Sequence, residues 1–185
     1  GAGGGTSSYR EVEETDLIVL WGSNARETHP IFFHHVLRAV NRPSGAARVY
    51  VIDPRRTTSA QWADGWLGLD VGSDIALANA IGREIIAAGL ANREFIERAT
   101  TGFEAYRAKV EPWTLAAAEA ETGVPAALIH ELAHAYATAP RAMLCWTLGI
   151  TEHHNAVDNV LALISLADRK STRLNSSHTD ISRMP

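Results

Sequence analysis

The 185-residue chain contains a single cysteine, Cys145. One thiol excludes an internal disulfide and any metal cluster built from several cysteines within this segment. It points to a reducing compartment, so a cytoplasmic location is the expectation. No apolar run approaches the roughly 18 residues that a membrane span requires, so no membrane segment is expected, and no secretory leader pattern is visible. Basic residues are not in excess. The formal net charge of -4 argues against a dedicated nucleic-acid binder. An initiator methionine, an internal repeat and a clear domain linker are also missing.

What is present suits one domain with a real core. The hydrophobic fraction is 46%, and the length is enough to bury a contiguous apolar centre. Composition changes abruptly at 168–185, "DRKSTRLNSSHTDISRMP", which is rich in Ser, Thr, Arg and Asn and lacks apolar periodicity. "DRKSTRLNSSH" is what a sequencing adapter would encode if translated. The expectation is a domain over 1–167 followed by a non-native, disordered tail. The tail carries Arg169, Lys170, Arg173 and Arg183 against Asp168 and Asp180, so without it the net charge falls from -4 to -6.

Three runs are continuous in apolar residues, as strands buried on both faces are: Leu17–Trp21, 49–52 and Ala142–Trp146. A shorter candidate strand spans 66–69. Helical patterns lie between them. Phe32, Phe33, Val36, Leu37 and Val40 share one face of Pro30–Val40, and the proline suits a first helical turn. A second helix opens at Ser73 or Asp74 and stops at Gly89. Shorter helices are expected at Arg93–Ala99, Phe103–Val110 and Leu115–Thr122, and longer ones at 125–139 and 157–167. Strands alternating with helices predict an α/β class, a three-layer Rossmann-like domain around a mostly parallel sheet.

Open sheets of this class bind ligands at the carboxyl ends of their strands, and those ends carry polar loops here. The first holds Gly22, Ser23 and Asn24, with Glu27 and Thr28 a turn further on; Gly22 would let a ligand approach the backbone. In the second, "VIDPRR", the Asp53 carboxylate suits ribose hydroxyls or a base. Pro54 stiffens the turn, and Arg55 suits a phosphate. A third is "WTLGITEHHN", containing Gly149, Thr151 and Glu152, with His153 and His154 behind them. "LDVGSD" adds Gly72 and a helix N-terminus, whose free N–H groups favour an anion. Any one of these is ordinary turn chemistry. Several at one sheet edge read as a nucleotide site.

Two motifs mislead. "GAGGG" at the start is no dinucleotide loop, because a strand follows the glycines instead of preceding them. "HELAH", His130 to His134, matches the zinc-hydrolase pattern H-E-x-x-H. Leu128, Ile129, Leu132, Ala133 and Tyr136 mark the buried face of that helix, so both histidines point to its polar face, with no third ligand evident. Cys145 reads as a small core residue.

The segments "DLIVLWGSNARETHP", "VIDPRRT", "ADGWLGLDVGSDIALANA", "REFIERATTGFEAYRAKVEPWT", "TGVPAALIHELAHAYA" and "LCWTLGITEHHNAVDNVLAL" resemble, in order and spacing, the molybdopterin-dependent oxidoreductases of the DMSO-reductase superfamily. The likeness is greatest to formate dehydrogenase alpha subunits, and it covers the chain to about Ala167. It implies a bis(molybdopterin guanine dinucleotide) cofactor, bis-MGD, carrying molybdenum or tungsten, with one nucleotide arm held at the strand ends. The residues implied to hold it are Gly22, Asn24, Glu27 and Thr28; Asp53, Pro54 and Arg55; Leu69, Gly72 and Asp74; and Leu148, Gly149 and Glu152. Glu27, Thr28 and Glu152 stand where the family commonly has aspartate, serine and glutamine.

The resemblance further implies that the chain is an internal fragment without catalytic or metal-ligating residues. The metal-binding cysteine or selenocysteine and the cysteines of a 4Fe-4S cluster would lie upstream. Formate would be the parent's substrate and electron-transfer subunits its partners. Exposed apolar surface is expected where missing regions pack. The alternatives are another molybdopterin oxidoreductase, such as an assimilatory nitrate reductase; a stand-alone nucleotide-binding module; and, disfavoured, a zinc hydrolase.

Overall fold

A computed structural model describes residues 8–170 and 178–180. The glycine-rich start and most of the tail, on which two of the readings above fall, lie outside the described residues. In chain order the elements are α1 (Tyr9–Glu14), β1 (Leu17–Trp21), α2 (Ala25–Thr28), α3 (Pro30–Val40), β2 (Arg48–Ile52), β3 (Gly65–Leu67), α4 (Asp74–Ala87) and α5 (Arg93–Ala99). They continue with α6 (Phe103–Val110), α7 (Leu115–Thr122), α8 (Ala126–Thr138), β4 (Ala142–Trp146), α9 (Leu148–Thr151), α10 (Ala156–Lys170) and β5 (His178–Asp180).

The sheet has the order β3-β2-β1-β4-β5 and every pairing is parallel. β1 is central, with Leu17 opposite both Arg48 and Ala142, and Trp21 opposite both Ile52 and Trp146. All five residues of β1 and of β4 are buried. That explains their unbroken apolar sequences, since a strand covered on both faces has no solvent side to alternate with.

Side chains one apart on a strand point to opposite faces, and the core divides accordingly. Leu17, Val19, Trp21, Tyr50, Ile52, Leu144 and Trp146 pack under α4, α7, α8 and α10 through Leu77, Ile81, Ala118, Leu132 and Leu163. Ile18, Leu20, Val49, Val51, Met143 and Cys145 pack on the other face against Val12 of α1 and Phe32, Phe33 and Val36 of α3. The result is the expected three-layer α/β arrangement.

Local signals set the helix ends. Pro30 opens α3, where a missing N–H costs nothing. Thr114 caps α7 by accepting from the Ala117 N–H, and Gly123, with φ of 70°, ends it. Ser73 is the N-cap of α4, but its hydroxyl donates to the Asp70 carbonyl at 2.6 Å and does not cap the helix's own N–H groups.

At the amino end of the sheet, the Asp16 carboxylate accepts from Arg141 Nε at 2.9 Å and Nη2 at 2.8 Å, and from Arg42 Nη2 at 2.8 Å. These bonds join the start of β1 to the start of β4 and to the loop after α3, on the side opposite the candidate site. The Arg141 bonds chiefly, with Arg42, hold the Asp16 carboxyl below its ordinary range. Among the described residues, no helix is long and apolar enough to cross a membrane.

Candidate functional site

Because all strands are parallel, their carboxyl ends share one edge. β2 and β3 lie on one side of β1 and β4 on the other, so the chain changes winding direction between β1 and β4. Loops diverge at such a point and leave a crevice. Two glycines form its floor. The Gly149 N–H donates to the Gly22 carbonyl at 3.1 Å, and the Thr147 hydroxyl donates to the same oxygen at 2.8 Å. A Cβ on Gly149 would lie 2.5 Å from Gly22 O, and one on Gly22 would lie 2.9 Å from the Gly149 carbonyl carbon. Gly22 also has φ of 57°. The sequence reading reserved the open side of Gly22 for a ligand; the structure places the Gly149 backbone there.

A cleft of about 200 Å³ opens beside this contact, lined by Gly22, Asp53, Arg55, Leu69, Asp74 and His153 among others. Pro54 and Gly149 line it too. Seven of the thirteen residues that the resemblance implies for the cofactor therefore meet at one place. Asp53 follows β2 directly and is buried. Its Oδ1 accepts from the Arg55 N–H at 2.8 Å, which holds the turn. Its carbonyl accepts from Trp66 Nε1 at 2.9 Å. Among the described residues, its second carboxylate oxygen accepts no hydrogen bond.

Asp74, the first residue of α4, is also buried, and its Oδ1 accepts from the Trp21 indole N–H at 2.7 Å. Burial raises its carboxyl above the ordinary value against the opposing effect of that bond, and the Asp53 charge adds to the rise. The cleft is thus lined by two carboxyl groups, which suit donors such as hydroxyls and base N–H groups. Arg55 is exposed at the rim, where a cation suits phosphate. His153, which the sequence places in a strand-end loop either touching a ligand or solvated, hydrogen-bonds the Gly149 carbonyl through Nε2 at 2.8 Å and joins the lining.

The other singled-out residues stand outside that lining. Asn24 Oδ1 accepts from the hydroxyls of Thr58 at 3.3 Å and Ser59 at 3.2 Å. Glu27 accepts from Thr58 at 2.8 Å, and Thr28 donates to the Asn24 carbonyl at 3.1 Å. These groups tie the single turn of α2 to the loop after β2. Gly72 is exposed with φ of 93°, and Glu152 is exposed at the end of α9. Leu148 and Val71 are 54% and 79% exposed at this edge, the one to which the acidic cleft opens.

Tertiary packing changes the reading of the H-E-x-x-H segment. His130 and His134 lie on the outer side of α8, as expected, but a third group is present. Glu84 of α4 brings its Oε1 to 3.3 Å from His134 Nε2 and 3.7 Å from His130 Nε2. Glu131 is engaged elsewhere, accepting from the Tyr50 hydroxyl at 2.6 Å.

The molybdopterin oxidoreductase family model matches residues 3–180. The chain is 38% identical over 167 residues to formate dehydrogenase H of Escherichia coli, covering 90% of this chain and 23% of that protein. It is 37% identical to the F420-dependent formate dehydrogenase subunit alpha of Methanocaldococcus jannaschii, covering 90% and 24%. In three dimensions it resembles acetylene hydratase from Pelobacter acetylenicus with a TM-score of 0.81 and 27% identity, over 88% of this chain and 22% of the other. The chain thus spans about a quarter of the length of the relatives it matches.

Proposed function

Because the chain belongs to the molybdopterin oxidoreductase family, we propose that its strand-edge cleft holds the guanine end of a molybdopterin guanine dinucleotide. The larger enzyme is then a formate dehydrogenase catalytic subunit, a reading supported by the formate dehydrogenases among its relatives. A cytoplasmic setting and electron-transfer subunits belong to the same proposal.

The observation that carries this reading is the Asp53 carboxylate: buried, fixed by one oxygen to the Arg55 N–H, and facing the cleft at the switch point. Guanine presents adjacent N–H donors on its Watson–Crick edge, including an exocyclic N2–H2, and a carboxylate accepts from both. Adenine offers no such pair. A cleft of about 200 Å³ is smaller than the roughly 300–1,000 Å³ of complete ligand sites. It fits one end of a dinucleotide, with the remainder enclosed by other parts of the enzyme. Exposed Val71 and Leu148 at this edge supply apolar surface for those parts.

The residues fit the group in kind. Asp53 would orient the base or ribose, Arg55 would pair with a phosphate at the rim, and Gly22 and Gly149 would provide a floor without side chains. Asp74 would act through Trp21, fixing the indole beneath the site. When bound, the cofactor would supply a molybdenum or tungsten centre for the two-electron oxidation of formate. This chain's contribution is binding and orientation. Cys145 packs as a core residue: it is fully buried in β4 in the apolar cluster against α1 and α3, and burial pushes its thiol pKa well up.

Titration of GMP into the chain, followed by amide NMR, tests the reading. Shifts concentrated at Gly22, Asp53 and Gly149, and weaker with AMP, are expected. Equal responses to both nucleotides would count against it.

A further inference from the structure

The cluster of Glu84, His130 and His134 lies outside the cleft, and no step of the proposed function uses it. Its three ligand-type atoms all lie within 4.8 Å of one another. Donors bound at about 2.0–2.1 Å to one tetrahedral zinc ion are about 3.3–3.4 Å apart. The separations of Glu84 Oε1 from the two imidazole Nε2 atoms, 3.3 and 3.7 Å, already approach that spacing. The imidazoles are one helical turn apart and parallel, with ring centroids 4.1 Å apart and planes 12° from each other. Both Nε2 atoms approach the same oxygen of the single carboxylate. Glu84 is the more buried member, with its side chain 15% exposed, while the imidazoles remain 48% and 38% exposed and reachable from solvent.

We infer that Glu84, His130 and His134 form a zinc-binding site, with water as the fourth ligand, that clamps α4 to α8. Two neutral imidazoles and a carboxylate are a donor set zinc accepts readily, whereas magnesium and calcium prefer all-oxygen shells. The site is structural and not hydrolytic. The glutamate that would act as base in an H-E-x-x-H hydrolase is Glu131, and here it is bound by the Tyr50 hydroxyl and is no member of the cluster. α4 and α8 pack on the same face of the sheet, and α4 begins at Asp74 in the cleft.

Zinc titration of the full chain against a chromophoric chelator, with cobalt substitution as a second measurement, tests this. One zinc per chain is expected, with the intense visible absorption of tetrahedral cobalt. Glu84→Gln, His130→Ala and His134→Ala should each weaken binding at least tenfold, roughly the minimum cost of disturbing a metal's surroundings. Glu131→Gln should leave binding unchanged. At one hundred times the dissociation constant, zinc should raise Tm by roughly 5–10 °C, and the Glu84→Gln chain should lose that rise. Absence of stoichiometric binding, or unchanged affinity in the histidine variants, would overturn the inference. So would octahedral cobalt spectra.

Discussion

Gly22 and Gly149 touch backbone to backbone: the Gly149 N–H donates to the Gly22 carbonyl at 3.1 Å, and neither position has room for a Cβ. The contact closes the gap between the loops after β1 and β4, where the sheet changes direction. Gly149→Ala would press a methyl to 2.5 Å from Gly22 O. Overpacking of this kind costs about 1–3 kcal/mol. Gly22→Ala should cost more, because its φ of 57° adds roughly 1–2 kcal/mol of left-handed strain. Urea unfolding of the two variants measures both. Wild-type midpoints would mean that the loops separate freely.

Asp16 should make stability depend on pH from the other end of the sheet. Its folded pKa is lowered, first by the Arg141 hydrogen bonds. The stabilisation is therefore present above the ordinary value of 3.8 and lost as pH falls through the folded value. The carboxylate is partly exposed, so solvent screens the pair and about 1 kcal/mol is the expected scale. Asp16→Asn should be less stable than wild type at pH 7, with the difference closing in acid. A gap that persists at the lowest pH would place the effect in something other than charge.

Asp74 carries the opposite sign. Burial raises its pKa, so between the unfolded and folded pKa values the folded state retains a proton that the unfolded state has released. Stability from this group is full below 3.8 and declines as pH rises through the folded value. Asp74→Asn keeps an acceptor for the Trp21 indole N–H and removes the buried charge. The variant should match or exceed wild-type stability at pH 7, and its advantage should shrink in acid. Thermal melts across pH 3–7 follow both aspartates.

Cys145 should behave as core. It is fully buried in β4, and its thiol pKa is raised by burial. Iodoacetamide at pH 8 should leave the folded chain unmodified and alkylate it completely in denaturant. Rapid native labelling would contradict the packing of that strand.

Much of the architecture was legible because it is local or periodic. The runs Leu17–Trp21 and Ala142–Trp146 carry their burial in composition, and α3 shows its face through Phe32, Phe33 and Val36. The one-turn helices α2 and α9 were not legible, because four residues carry no periodicity. Nor was α1, whose buried contribution is Val12 alone. Asp53, Asp74 and Gly149 could be placed at one edge from the sequence because each follows a strand or opens a helix there. His153 was harder: its place depends on how the Gly149 loop folds back on Gly22. Glu84 was invisible as a partner of His130 and His134, because sequence does not reveal that α4 packs on α8. The same pairing supplies the third ligand that the motif lacked.

The most direct test of the central claim is the pterin content of the complete enzyme carrying Asp53→Asn. Asparagine keeps an acceptor for the Arg55 N–H but replaces the free carboxylate oxygen with a donor facing guanine's own donors. Loss of a charged hydrogen-bond partner costs about 1.5–3 kcal/mol, or roughly 10- to 150-fold in affinity. After exhaustive dialysis, released pterin measured by fluorescence should fall to a small fraction of wild type, while the Glu131→Gln enzyme retains its full complement. Wild-type pterin content in a folded Asp53→Asn enzyme would contradict the assignment of this cleft.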